Sequence, residues 1–361
     1  MAAVQGFHVL QIARVVRETA AATTIVLAIP PELQEKFCAK PGQHITLRFV
    51  LEGEEARRNY SLTSFDRPGE LAITVKRVAD GLVSNHIHTA VAAGETLEVG
   101  SPAGRFVVSP GEGPRVHVAI AAGSGITPII GMIEQVLAGD AVSRFVLLYG
   151  NRSVDGIIFR ERLEALKDRF MERLVITHVL SRDEEADVPL LSGRLDGAKV
   201  TALLASIIPG TPVDRYYLCG PGGMIKDVRD ALLAAGVPRE RIGFEFFKQG
   251  PEPATRRPPP VEPAKAAPEG SEAVIIFDGA RKTFRVPPGG HVVDAALAAG
   301  ITVPYSCKGG MCCTCRAKLV EGKVEMTRNF SLEPWEMAAG FVLACQSVPQ
   351  TPRVVLNFDQ M

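Results

Sequence analysis

A surplus of either charge is missing from this chain. Its 361 residues carry 40 Lys and Arg against 40 Asp and Glu. No long-range field therefore favours DNA, RNA or an anionic membrane, and neither nucleic acid nor membrane is expected as a partner. Long apolar runs are missing too. No stretch approaches the roughly 18 residues of a membrane span, and Met1-Ala2-Ala3-Val4-Gln5-Gly6 lacks the basic, apolar start of a secretory signal. A soluble, cytoplasmic protein is the expectation. The seven histidines stand at no ligand spacing, and no internal repeat is present. Cysteine is also scarce, but four of the seven crowd between Cys307 and Cys315. An odd count, so clustered and without an export signal, excludes a disulfide framework and points to metal ligation.

What is present falls into three textures, as expected for a chain too long for one core. Over residues 1–110, short alternating runs such as His44-Ile45-Thr46-Leu47-Arg48-Phe49 and Leu71-Ala72-Ile73-Thr74-Val75 are broken by Gly and Pro turns. They predict an antiparallel β-barrel. Over 111–249, buried apolar strands (Val116 to Ala121, Phe145 to Tyr149) alternate with helical stretches, which predicts an α/β, Rossmann-like domain on a parallel sheet. Residues 250–271 are almost wholly Pro, Ala, Glu, Lys, Arg and Thr around Pro258-Pro259-Pro260. This composition predicts a semi-rigid linker. The last domain, 272–361, begins with Val274-Ile275-Ile276-Phe277 and Lys282-Thr283-Phe284-Arg285-Val286 around Asp278-Gly279, a hairpin signal. A helix from Val292 to Ala299 is expected next.

Cys307, Cys312 and Cys315 have the spacing C-x4-C-x2-C, and Cys345 lies well downstream. That is the plant-type 2Fe-2S pattern, in which four thiolates hold two irons. Zinc loops use paired C-x2-C knuckles instead. Gly309 and Gly310 let the loop wrap closely and aim N–H groups at the sulfurs, whereas Cys313 is off the ligand spacing and reads as a bystander. The last 90 or so residues resemble the ferredoxin domain of plant-type proteins, which implies a β-grasp fold. Arg281, Lys282, Arg285, Lys308, Arg316, Lys318 and Lys323 set it apart from the strongly acidic free ferredoxins of that family. A tethered domain has less need of electrostatic steering.

In the first domain, Arg58-Asn59-Tyr60-Ser61-Leu62 ends a strand. Before an α/β domain it resembles the R-x-Y-S signature of the ferredoxin-NADP reductase superfamily. The resemblance implies that Arg58 neutralises a flavin phosphate, Tyr60 packs on the isoalloxazine and Ser61 hydrogen-bonds near its N5. Lys76 and Val78, in Val75-Lys76-Arg77-Val78, resemble the strand whose backbone meets the flavin. Gly81 and Ser84 resemble the G-x-x-S turn that opens a helix onto the pyrophosphate. FAD is the expected flavin, with FMN the alternative.

Gly123-Ser124-Gly125-Ile126-Thr127-Pro128 follows a buried strand and opens a helix, where a dinucleotide pyrophosphate sits in a doubly wound sheet. The third glycine of G-x-G-x-x-G is missing, but the run resembles the superfamily's G-x-G-x-x-P form, with Gly123, Gly125 and Thr127 as candidates. Cys219-Gly220-Pro221-Gly222-Gly223-Met224 resembles its C-G-P-x-x-M motif. Gly220, Pro221 and Met224 would then frame the nicotinamide, and Cys219 would lie beside its reactive carbon. Ser61 and Cys219 are the candidate catalytic residues. Arg152 and Ser153 follow one strand and Ser181 and Arg182 another, without an acid in the first turn until Asp155. Arginine suits a ribose 2′-phosphate, so NADPH is expected, with NADH the alternative. Glu245-Phe246-Phe247 is a candidate to return a side chain to the flavin face.

Together these implications describe an oxidoreductase that carries electrons from NADPH through FAD to a cluster near roughly −400 mV. The resemblance implies a reductase component serving an oxygenase, a multi-subunit diiron epoxidase of phenylacetate degradation. Two alternatives stay open: an NADH-dependent FMN or FAD reductase of a Rieske-type or other hydroxylase, and a non-catalytic redox-sensing module.

Overall fold

The computed structural model describes residues 6–64, 67–108, 114–182, 188–247 and 269–360. Most of the proline-rich segment expected to be a linker lies outside them. The chain forms two compact units, the first holding the barrel and the parallel sheet, the second the C-terminal sheet. Among the described residues no helix is long and apolar enough to cross a membrane.

Six strands close the barrel: β1 (Phe7–Thr19), β2 (Ala22–Ala28), β3 (His44–Leu51), β4 (Glu54–Ser64), β5 (Glu70–Lys76) and β6 (Thr96–Gly100), in the order β1-β2-β5-β4-β3-β6. Inward residues such as Leu10, Ile12, Ile25, Leu27, Ile45, Leu47, Leu62 and Ile73 fill it and are almost wholly buried. Their spacing of two is the alternation that announced the strands. Helix α1 (Leu82–Thr89) follows β5 directly and buries Val83 and Ile87 in the same core.

The second sheet is parallel, built from β7 (Val116–Ala122), β8 (Arg144–Asn151), β9 (Leu174–Leu180), β10 (Arg215–Gly220) and β11 (Ile242–Phe246), in the order β11-β10-β7-β8-β9. Helices cover both faces, so its strands are continuously apolar. On β7, Ala119 and Ala121 face the layer of α2 (Thr127–Gly139) and α3 (Arg160–Arg169), while Val118 and Ile120 face α4 (Gly197–Ile207) and α5 (Gly222–Ala234). The chain runs β7-β8-β9 one way and returns to place β10 on the other side of β7. The carboxyl ends of β7 and β10 therefore flank the topological switch point, where such sheets bind ligands.

The C-terminal unit has a five-stranded mixed sheet, β13-β12-β18-β14-β16, and a two-stranded one, β15-β17. The strands are β12 (Ser271–Phe277), β13 (Ala280–Val286), β14 (Arg316–Glu321), β15 (Val324–Met326), β16 (Phe341–Leu343), β17 (Ser347–Pro349) and β18 (Arg353–Asn357). Helices α6 (Val292–Ala298) and α7 (Pro334–Ala338) complete it. The expected hairpin joins β12 to β13 through Asp278 (φ 52°) and Gly279 (φ 70°), both left-handed, as a type I′ turn requires. The Asp359 carboxylate accepts both turn N–H groups at 2.7 and 3.0 Å. β12 and β18 run parallel at the centre and α6 packs on one face, the β-grasp arrangement.

Candidate functional site

The barrel offers one outward face on β4 and β5. Leu62 points into the core, so its neighbour Ser61 points the other way. It is 3% exposed, and its hydroxyl has no partner among the described residues. A buried hydroxyl left unsatisfied costs about 1–3 kcal/mol, so this one fits a polar ring edge that a flavin brings. Tyr60 is half-buried against the barrel core. Arg58 is exposed and spends one N–H on the Arg57 carbonyl at 2.8 Å. Val78 is half-buried beyond β5. Gly81 caps α1, and Ser84 folds back on that turn, accepting from Val78 N–H and donating to the Gly81 carbonyl, both at 3.2 Å. Ser84 thus shapes the turn rather than standing free at the helix end.

The two glycine motifs close on each other at the ends of β7 and β10. A Cβ on Gly125 would lie 2.0 Å from the Cys219 carbonyl oxygen, and one on Gly220 would lie 3.1 Å from Ala122 Cβ and 2.7 Å from Met224 Cε. Only glycine permits this approach. Gly123 is left-handed (φ 54°), and its carbonyl accepts from the Tyr149 hydroxyl at 2.9 Å. Thr127, almost fully buried, donates to the Ser124 carbonyl at 3.0 Å. Pro221 precedes α5, where Met224 is buried.

Sequence reasoning took Lys76 for its backbone, yet its ammonium is what enters the site. Nζ lies 3.1 Å from where a Gly123 Cβ would be. Burial, then the Arg152 charge, lowers its pKa. Arg152 is exposed, as are Ser153 and Arg182, and Ser181 is half-buried. The two turns lie side by side, because Ser181 N–H donates to the Asn151 carbonyl and Arg182 N–H to the Arg152 carbonyl, each at 2.9 Å. The Lys76 ammonium and the Arg152 guanidinium thus lie close enough to interact, and the Arg182 backbone lies beside that of Arg152; cations grouped so suit phosphates.

Cys219 is fully buried, and its pKa stands well above the usual thiol value through burial first and the Glu245 charge second. It remains a neutral thiol, able to pack beside a ring but unsuited to nucleophilic work. Glu245 is its strand partner and lies 3.6 Å from His44 Nδ1. Among the described residues, neither ring nitrogen of His44 nor Glu245 Oε2 has a hydrogen-bond partner. His44 sits beside Ser61, because Leu62 N–H donates to the Gln43 carbonyl at 2.8 Å. This buried polar group was missed on the His44 side, where alternation marks only a strand residue.

In the C-terminal unit the four predicted ligands converge as two pairs. The Cys312 thiol donates a hydrogen bond to the Cys307 sulfur, and the Cys315 thiol to the Cys345 sulfur. Cys307 is drawn down to about 5, first by Cys312 and then, against the cost of burial, by N–H groups of Gly309, Met311 and Cys312. Gly309 N–H reaches its sulfur at 3.3 Å. Cys345 is also lowered, first by Cys315 and then, against burial, by Gly310 N–H. Two pairs of cysteine sulfurs with backbone donors form the set that two irons need. Cys313 stands apart, donating to Ser331 Oγ at 3.0 Å.

Three family models match the chain, an oxidoreductase FAD-binding domain over residues 11–108, an oxidoreductase NAD-binding domain over 119–230 and a 2Fe-2S iron-sulfur cluster binding domain over 275–350. The protein is therefore an oxidoreductase that transfers electrons from a pyridine nucleotide through FAD to a 2Fe-2S cluster. One of the subunits of the 1,2-phenylacetyl-CoA epoxidase of Escherichia coli (strain K12) is 41% identical over 98% of both chains. The ferredoxin reductase component of 3-ketosteroid-9-alpha-monooxygenase from Rhodococcus rhodochrous is 35% identical over 97% of this chain and 96% of its own. The solved phthalate dioxygenase reductase shares the fold, with a TM-score of 0.60 at 23% identity over 98% of both chains. The chain belongs to the ferredoxin-NADP reductase superfamily, in the branch that carries a C-terminal plant-type ferredoxin domain.

Proposed function

We propose that this chain is the NADPH-dependent reductase component of a multi-subunit diiron oxygenase, a phenylacetyl-CoA epoxidase acting in phenylacetate degradation in the cytoplasm. The end-to-end identity of 41% with one chain of such an epoxidase carries the choice of partner. The facing turns Arg152-Ser153 and Ser181-Arg182 support NADPH, since two guanidinium forks there suit a 2′-phosphate. In this reading the flavin domain spans 1–110, the nucleotide domain 111–249, the linker 250–271 and the ferredoxin domain 272–361.

When bound, FAD converts a two-electron hydride donor into a source of single electrons, which the cluster carries onward. The residues do the rest. Arg58 and the turn of Gly81 and Ser84 hold the flavin's phosphates, with the backbone of Lys76 and Val78 alongside, and Tyr60 and Ser61 orient its ring. Lys76 and the loop of Gly123, Gly125 and Thr127 hold the nucleotide pyrophosphate. Gly220, Pro221 and Met224 leave room for the nicotinamide, and the neutral Cys219 packs beside it. The full burial of Cys219 would keep water from that side of the ring. Cys307, Cys312, Cys315 and Cys345 hold the irons.

Mixing the purified chain with the oxygenase component of phenylacetyl-CoA epoxidase tests the partner. Coupled NADPH oxidation and epoxide formation are expected. Coupling only to a Rieske-type oxygenase, with NADH as the better donor, would replace this reading by that of a hydroxylase reductase.

A further inference from the structure

The loop after β7 is a 3-10 turn, Gly123–Ile126, closed by the Thr127 N–H on the Ser124 carbonyl, and two hydroxyls add to it. In a trans peptide the C=O and the following N–H point in opposite directions. The Gly123 carbonyl is held by Tyr149 Oη at 2.9 Å, which turns the Ser124 N–H away from β8. The Ser124 carbonyl is held twice, by the Thr127 N–H and by Thr127 Oγ1 at 3.0 Å, and the 3-10 turn takes up the Gly125 N–H. The Ser124 N–H is thus aimed by a side chain that lies behind it, and the Lys76 ammonium stands alongside.

We propose that Tyr149 is a positioning residue for the pyridine nucleotide, fixing the Gly123 peptide so that the loop presents the Ser124 N–H to the pyrophosphate. This rests on the nucleotide reading above. Tyr149 is fully buried on β8, and burial raises its phenol far above the usual value, so it stays a donor at any working pH. The left-handed Gly123 needs such a restraint, because glycine without one samples many conformations. Packing alone does not account for the contact, since phenylalanine would fill the same core without holding the carbonyl. Tyr217 on β10 supplies the comparison. It is as deeply buried, but its hydroxyl faces His117 Nδ1 at 3.5 Å, away from the loop.

The test uses the full chain with its flavin, as wild type, Tyr149→Phe, Tyr217→Phe and Ser124→Pro. Dissociation constants for NADP+ and NAD+ come from flavin difference spectra, kcat and KM from NADPH oxidation with ferricyanide, and Tm from unfolding. Tyr149→Phe is expected to raise both dissociation constants and KM about tenfold, one hydrogen bond's worth of order, with kcat unchanged. The two nucleotides should weaken equally, because they share the pyrophosphate. Tyr217→Phe should leave binding unchanged, whatever it does to Tm. Ser124→Pro, which removes the N–H that Tyr149 aims, should weaken binding as Tyr149→Phe does, and it carries the test should Tyr149→Phe fold poorly. Unchanged nucleotide affinity in Tyr149→Phe, or an equal loss in Tyr217→Phe, overturns the proposal. A wild type that binds neither nucleotide overturns the nucleotide reading itself.

Discussion

Two glycine-bearing loops in this molecule solve opposite problems. The loop from Gly123 to Thr127 has its carbonyls tied back by Tyr149 and Thr127, which leaves the Ser124 N–H facing a ligand that must come and go. The loop from Cys307 to Cys315 spends N–H groups on its own sulfurs, which suits a group that stays. A site for a transient anion keeps its donors in reserve, whereas a site for a resident cluster uses them to stabilise thiolates that the irons then hold.

The largest effect should separate the loops completely. Cys312→Ser removes one of the four thiolates, and the variant should lose the cluster's visible absorbance and its reduced EPR signal while NADPH still bleaches the flavin. Loss of flavin reduction as well would show that the two units are not independent.

The next contrast is in stability. His117, on β7, is stacked against Phe145 and Tyr217 at 5.9 and 6.0 Å. Burial above all drives its pKa down to about 4. The fold keeps it neutral, while the unfolded chain takes up a proton near pH 6.5. Its contribution is therefore complete above pH 6.5 and is lost as pH falls toward 4, amounting to roughly 3 kcal/mol. Urea titrations of the nucleotide unit, followed by flavin release, should show that slope, and His117→Phe should flatten it. Cluster absorbance, reporting the other unit, should not follow it.

Gly125→Ala comes third. Its methyl would meet the Cys219 carbonyl at 2.0 Å, and forcing the two motifs apart should cost about 1–3 kcal/mol. Nucleotide affinity should fall about ten- to a hundredfold, with the cluster spectrum intact. The smallest effect belongs to Arg182→Ala. Loss of one charge-assisted contact should weaken NADPH about tenfold and NADH hardly at all. Equal loss for both nucleotides would remove Arg182 from any 2′-phosphate site.

The barrel, the parallel sheet and the 2Fe-2S loop were legible because each rests on local periodicity or spacing. Alternation at Leu71-Ala72-Ile73 marks a strand wherever it folds, and C-x4-C-x2-C names its ligands before any contact is known. The sorting of the cysteines into two pairs was not legible, since it depends on how Cys345 returns beside Cys315. Tyr149 and His44 were hidden for a similar reason. Each reads as an ordinary strand residue, and its partner is set by strand register, Ala122 beside Gly150 for the one, or by packing of the barrel against β11 for the other. Lys76 was placed on the right strand, but a strand position does not say what the end of a long side chain will reach.

The most direct test of the whole account is an anaerobic titration of the purified protein with NADPH and, separately, NADH, following flavin and cluster absorbance together. The account predicts that NADPH at low concentration bleaches the flavin first and the cluster after it, with NADH needing far more. A flavin that reduces while the cluster never does would contradict the electron path, and NADH as the better donor would contradict the role given to Arg152 and Arg182.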